Sequence, residues 1–340
     1  MFGVASLFFA SHSYSQTPDA PSNAYAPTRA QVYVAKDSQA TDAFQPRPER
    51  VKGMVQRAIL AATSKDSVSA AWLSLVSTQD IIGIKVYSDP GPNSGTRRAV
   101  VAAVVEDLLN AGIPTNHVIV WDKRLIDLRL AGYMELNERF GIQIVGSTDG
   151  GYDGTNFYES TLIGNLVWGD LEFGKKGDDV GRKSFVSNLV SRKLTRIINI
   201  APLINHNQAG VAGILYSLAL GSVDNTRRFE NDASRLATAV PEIYALPALV
   251  DHVALNITDA LICQYEGEER GLLHYSSPLN QLWFSHDPVA LDVLAIQELD
   301  RQRQLAKFSK VKSNLELYFN ASLLELGVSD LKKIQVIDVP

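Results

Sequence analysis

Residues 197–228 read IINIAPLINHNQAGVAGILYSLALGSVDNTRR. Ile197 to Leu203 is an apolar run interrupted only by Asn199 and Pro202. That is how a strand buried on both faces reads, with Pro202 expected at its very end because proline cannot donate to a ladder. A polar knot follows, Asn205, His206, Asn207 and Gln208, then Gly210, Gly213, an apolar helical run, Gly221, and finally Asp224, Asn225, Arg227 and Arg228. A strand that leads through a polar, glycine-bearing turn into a helix is where open α/β sheets put their sites.

The flanking sequence repeats this unit. Residues 80–87 (DIIGIKVY) and 117–121 (HVIVW) read as buried strands. Between them Thr96 is placed to cap a helix from about Arg97 to Ala111, apolar almost all round and ended by Gly112 and Pro114. Leu125–Leu136 reads as helix, Ile142–Val145 as a short strand, Ser184–Leu194 as helix, and His252–Ile257 and Leu282–Ser285 as further strands. Asp287-Pro288 opens a strong helix to about Gln304, and Asn314–Leu326 is a last helix before an edge strand at Lys333–Ile337. At the other end, Gln31–Ala35 alternates as a strand, Arg47–Ala62 has the apolar spacing of an amphipathic helix, and Ser67–Leu75 reads as a second, shorter helix. The expected fold class is α/β, a central, mainly parallel sheet with helices on both faces. The runs at 81–87, 117–121, 197–203 and 252–257 should be neighbouring strands of it.

Residues 146–182 change character: nine glycines in 37 positions mark a glycine-rich, loop-rich insertion, with short strands such as Leu162–Leu166 suited to a hairpin. The first 30 residues are also distinct. An apolar run at Val4–Ala10 (VASLFFA) precedes Ser13-Tyr14-Ser15, small residues at the spacing a signal peptidase reads. No Lys or Arg occurs before Arg29, so the usual basic start is missing. The expectation is a signal peptide at 1–15, a disordered Pro/Ser/Ala-rich spacer at 16–30, a periplasmic or secreted mature chain starting near Gln16, and a single α/β domain over 31–340. The alternative is a frayed cytosolic terminus.

The chain is 46% hydrophobic and 20% charged with a net charge of -5 and no long run of like charge, which fits a sizeable core and argues against a nucleic acid or a membrane surface as partner. No internal segment reads as a membrane span. One cysteine, Cys263, excludes an internal disulfide, a cysteine zinc cage and an iron–sulfur cluster. The histidines at 117, 206, 252, 274 and 286 include no i,i+4 pair, and no metal motif emerges. DGGYDG is too short for a calcium hand, GVAG at 210–213 is not a dinucleotide fingerprint, and neither a Walker loop nor a GxSxG elbow occurs.

Polar side chains do gather at predicted strand ends: Lys85, Asp122, His206, Asp259 and Asp287. In a parallel sheet such ends share one edge, so these groups can converge around a small-molecule ligand. Each has a plainer reading. Asp287 before Pro288 is a good N-cap, Thr96 is equally explicable as a cap, and Lys85 can snorkel. His206 has the weakest plain reading, since it follows a buried strand and sits between asparagines with no carboxylate beside it in sequence.

Four blocks carry a resemblance: IIGIKVYSDPGPNSGTRRAVVAAVVEDLLNAGI with HVIVWDKRLIDLRLAGY; RIINIAPLINHNQAGVAGILYSLALGSVDNTRRF; LNITDALICQYEGE; and WFSHDPVALDVLAIQELDRQR. Together, over roughly residues 80–305, they resemble the bacterial and archaeal family catalogued as domain of unknown function 362. The resemblance implies an α/β fold and frequent export, and no particular activity. His206, Gly210, Gly213, Asp224, Asn225, Asp259, Asp287 and Asp292 match its pattern. Tyr87 stands where the pattern has asparagine, Ile204 where it has lysine, and Tyr216-Ser217 where it has a lysine–asparagine pair. Members able to bind iron–sulfur clusters do so through added cysteine motifs, which this chain lacks. HNQAGVAGILY is also similar to the cofactor-holding segment of lactate racemase, but Tyr216 replaces the lysine that would tether a nickel pincer, which argues against that cofactor.

Two functions follow. In the first the chain is an enzyme. His206 acts as general acid or base on a small anionic or hydroxylated substrate, with Lys85 and Asp259 as catalytic partners and Thr96, Asp122, Asn225, Arg228 and Asp287 binding the ligand. In the second it is a non-catalytic periplasmic ligand-binding or accessory protein that has kept the fold without the chemistry.

Overall fold

The computed structural model describes residues 29–160, 181–308 and 315–340. The expected signal peptide, nearly all of the spacer and the hairpin segment at 162–166 lie outside these residues. The strands used below are β1 (Ala30–Lys36), β2 (Ile82–Val86), β3 (Val118–Asp122), β4 (Gln143–Gly146), β5 (Tyr152–Glu159), β6 (Lys183–Ser187), β7 (Arg196–His206), β8 (Gly210–Val211), β9 (Val253–Gln264), β10 (Ser276–Ser285) and β11 (Ile334–Val339). The helices are α1 (Pro48–Thr63), α2 (Arg98–Asn110), α3 (Ile214–Ser222), α4 (Ala233–Tyr244), α5 (Pro288–Leu305) and α6 (Glu316–Leu323).

One central sheet runs in the order β11-β1-β10-β9-β7-β2-β3-β4, with β8 folded back on β7. The four strands expected to be neighbours are neighbours, and β9, β7, β2, β3 and β4 pair in parallel. Only β10 runs against them along this path, pairing antiparallel with both β9 and β1. Side chains alternate between two cores. Ile82, Ile84, Val86, Val118, Val120, Ile198 and Ile200 face α1 and α2, whereas Ile119, Trp121, Ile197 and Ala201 face α3 to α6. Both faces are therefore covered, which is why these strands read as continuous apolar runs.

Several expectations are corrected. Pro202 does not end its strand, because β7 runs on to His206. Its partners leave instead: β2 stops at Val86 opposite Ile200, and the β9 register breaks after Asp259 opposite Pro202. A proline is tolerated at that point because no neighbour requires its missing N–H. Leu125–Leu136 is two helices, Leu125–Leu130 and Met134–Phe140, broken at Gly132 with φ +82°. Ser184–Leu194 is not helical at its start. Residues 183–187 form β6, paired with β5 and anchored by Phe185 edge-on to Phe157, and only Leu189–Lys193 turns as a π-helix. Thr96 does not cap α2. Its hydroxyl accepts from Tyr87 N and donates to Ile200 O, tying the end of β2 to β7.

Candidate functional site

The carboxyl ends of the parallel strands carry Lys85, Asp122 and His206, while Asp259, part-way along β9, turns to the α2 face, and the way each is held decides what it can do. Lys85 is completely buried. Its Nζ donates to Val86 O at 2.6 Å, Asp122 Oδ1 at 2.8 Å and Ser217 Oγ at 3.0 Å, so all three ammonium hydrogens have acceptors. Burial pushes its pKa down, and the Asp122 carboxylate opposes that shift. Asp122 is equally occupied, accepting from Lys123 N on Oδ1 and from Ser88 N and Oγ on Oδ2. Room for the lysine comes from Gly221 on α3, where a Cβ would lie 2.3 Å from Lys85 Cε.

His206 ends β7 in a tight hairpin. It pairs with Gly210, whose φ of +86° turns the chain back into β8. The ring is 8% exposed, and Nδ1 accepts from both Gln208 N and Ala209 N at 3.2 and 3.1 Å. Backbone N–H groups only donate, so Nδ1 carries the lone pair and the neutral ring bears its hydrogen on Nε2. Burial lowers its pKa against the opposing charges of Glu268 and Glu230. The ring lies against Tyr216 at 4.4 Å between centroids, and Tyr216 meets Tyr87 edge-on at 6.2 Å. The polar partners found around the turn come from the 264–275 segment rather than from Lys85 or Asp259: Asn205 Oδ1 accepts from Glu268 N, and Asn207 N donates to Glu268 Oε1.

Asp259 does not orient the imidazole. It is fully buried, accepts from Arg97 N and Leu261 N, and lies 3.3 Å from the Arg97 guanidinium. It thus serves the first turn of α2. Arg228 is buried and clamps the β5–β6 hairpin, donating to Ser184 Oγ, Gly181 O and Tyr158 O while stacking on Tyr158. Asn225 takes the left-handed conformation, φ +47°, and donates to Lys183 O on the same hairpin.

Asp287 does not join this edge. It follows β10, the antiparallel strand, and so emerges at the amino edge, where the neighbouring His286 ring meets Ala254 O. There Oδ1 caps α5 through Ala290 N and Oδ2 accepts from Val328 N, with Gly327 leaving the space. Asp287→Ala should therefore cost about 2–3 kcal/mol, a lost cap plus an orphaned buried N–H. Urea unfolding midpoints test this, and an unchanged midpoint would refute the double anchoring.

Asp292, one turn further along α5, reaches the N-terminus of α3, where Ile214 N and Leu215 N donate to its two oxygens. Residues that sequence reasoning passed over complete the picture: Ser217 and Gly221 on α3, Ser88 after β2, and Arg97 beside Asp259. Among the described residues no three His, Cys, Asp or Glu side chains gather to hold a metal ion. Cys263 is free and buried. No helix of the described residues is long and apolar enough to cross a membrane.

No curated protein matches the sequence. A crystal structure of a Thermotoga maritima protein is similar over 79% of this chain at 9% identity and a TM-score of 0.43, and the match spans 61% of that protein's chain. The profile of the family described as domain of unknown function (DUF362) matches residues 82–297, and the chain belongs to that family.

Proposed function

We propose that this chain is a non-catalytic ligand-binding or accessory protein, exported to the periplasm or beyond, rather than an acid–base enzyme. The observation that carries this reading is the saturation of the would-be catalytic groups. Lys85 spends its three donors inside the protein, and His206 spends Nδ1 on its own turn. A base must accept a proton at a free nitrogen facing the substrate, and here proton uptake requires breaking two backbone bonds under the hairpin. The two tyrosines that replace the asparagine and lysine of the family pattern, Tyr87 and Tyr216, support the same reading, because they give His206 an aromatic neighbour where the pattern supplies a cation.

Imidazole nitrogen NMR provides one check. His206 should hold its hydrogen on Nε2 and remain neutral at pH 7, titrating below the ordinary histidine value. An imidazolium at that pH would contradict the geometry. Function is tested with whatever small molecule native mass spectrometry finds on the protein purified from its host. It should bind reversibly, stay chemically unchanged on incubation, and still bind the Lys85→Met variant. Conversion of that molecule by the wild type and not by His206→Gln would overturn the proposal.

A further inference from the structure

The turn that carries His206 is fastened to the segment that follows β9. Asn205 Oδ1 accepts from Glu268 N at 3.0 Å, Asn207 N donates to Glu268 Oε1 at 3.0 Å, and Gln264 Nε2 donates to Glu268 O at 2.7 Å. Glu268 thus grips the residue on each side of His206. It does so in the left-handed conformation, φ +52°, which a residue other than glycine keeps only where its surroundings hold it. These bonds leave two polar atoms over. The His206 ring is 8% exposed and its Nδ1 is taken up by the turn, so Nε2 carries the hydrogen. Among the described residues no acceptor meets that Nε2–H, which is not sealed from solvent. Glu268 is half-buried, and among the described residues its Oε2 meets no donor and no lysine or arginine pairs with its carboxylate.

The cations around this edge are engaged elsewhere. Lys85 is sealed on Asp122, Arg97 faces Asp259, and Arg124 pairs with Asp89 and Asp127. Lys123 donates to Thr226 Oγ1, which itself bonds Glu230, and Arg270 turns back on Gly267 O. The charges that act on the imidazole are those of Glu268 and Glu230, both carboxylates. An anion at this point would meet repulsion with no cation to offset it, whereas an ammonium group would give Glu268 a charge-assisted hydrogen bond. The N–H of Nε2 calls for an acceptor oxygen beside that ammonium. On the ligand-binding reading of this edge, on which the assignment rests, we propose that His206 and Glu268 recognise a small hydroxylated cation, an amino alcohol or amino sugar, with a hydroxyl oxygen on Nε2 and the ammonium group on Oε2. The sign is opposite to that of an anionic substrate, because the lysine on which an anion would sit is completely buried.

The test is calorimetric titration of the full chain with ethanolamine and glucosamine, against ethylene glycol and N-acetylglucosamine as uncharged counterparts and glucose 6-phosphate as the anion. At least one ammonium compound should bind saturably, about tenfold or more tightly than its uncharged counterpart, and the anion more weakly than either. Glu268→Gln removes the charge but keeps a side-chain oxygen for Asn207 N, so the turn stays fastened and only the preference for the cation should disappear. Absence of saturation by both ammonium compounds, equal or tighter binding of an uncharged counterpart or of the anion, or a cation preference that survives Glu268→Gln would each overturn the proposal. Conversion of a bound ammonium compound by the wild type would instead overturn the non-catalytic reading and leave the charge selectivity standing.

Discussion

Asp122→Ala is expected to destabilise the protein by about 3–5 kcal/mol, because it leaves a fully buried lysine without its counter-charge. Lys85→Met is expected to cost less, about 1–2 kcal/mol, since the carboxylate left behind keeps Ser88 N, Ser88 Oγ and Lys123 N as donors. The asymmetry follows from who else serves each partner. Lys85 has only a carbonyl and a hydroxyl besides Asp122, and neither balances an ammonium charge out of water. The double variant should consequently be more stable than Asp122→Ala alone, a coupling that a double-mutant cycle on urea midpoints measures directly. Equal losses for the two single variants, or simple additivity, would mean that the pair is not the organising contact of this edge.

That network illustrates how much of the site the sequence makes legible. The strand containing Lys85 is readable because a strand covered on both faces must be apolar throughout, and a lysine inside such a run stands out. What saturates it is not readable, because the partners arrive from Asp122, 37 residues away, and Ser217, 132 residues away. Gly221 looks like an ordinary weak point in a helix, yet its missing side chain is what admits the lysine stem. The helix after Asp287-Pro288 is likewise legible from its cap and its proline. The edge on which that aspartate sits is not. β10 begins with SSPLNQ, a polar, half-exposed stretch that reads as loop, so neither its length nor its opposed direction can be anticipated. One reversed strand moves Asp287 to the far edge. His206 was recognisable as unusual, but the bonds that engage its Nδ1 come from its own turn, and local backbone geometry of that kind leaves no side-chain signature.

The second large effect is expected at Gly213 and Asp292. A Cβ on residue 213 would sit 2.1 Å from Asp292 Oδ1, so Gly213→Ala must expel the carboxylate from the start of α3. Two buried N–H groups would lose their acceptor and a packed helix would shift, for a loss of about 3–5 kcal/mol. Removing the colliding group should then recover part of it: Gly213→Ala combined with Asp292→Ala should lose less than the two single losses added together. The same carboxyl group links stability to pH. Burial raises its pKa to about 7, outweighing the two backbone N–H bonds, while Asp287, Tyr244 and Tyr318 face it without supplying a cation. A carboxyl group with a raised folded-state pKa binds its proton more tightly in the folded protein than in the unfolded chain. Its contribution is therefore complete below the unfolded value near pH 4 and is lost as pH rises towards 7, by up to about 4 kcal/mol at ~1.4 kcal/mol per unit. Asp292→Asn cannot titrate, so the stability difference between wild type and this variant should move steadily in the variant's favour from pH 5 to pH 7 and level off above it. A difference that stays flat over that range would show that the folded protein holds Asp292 ionised throughout.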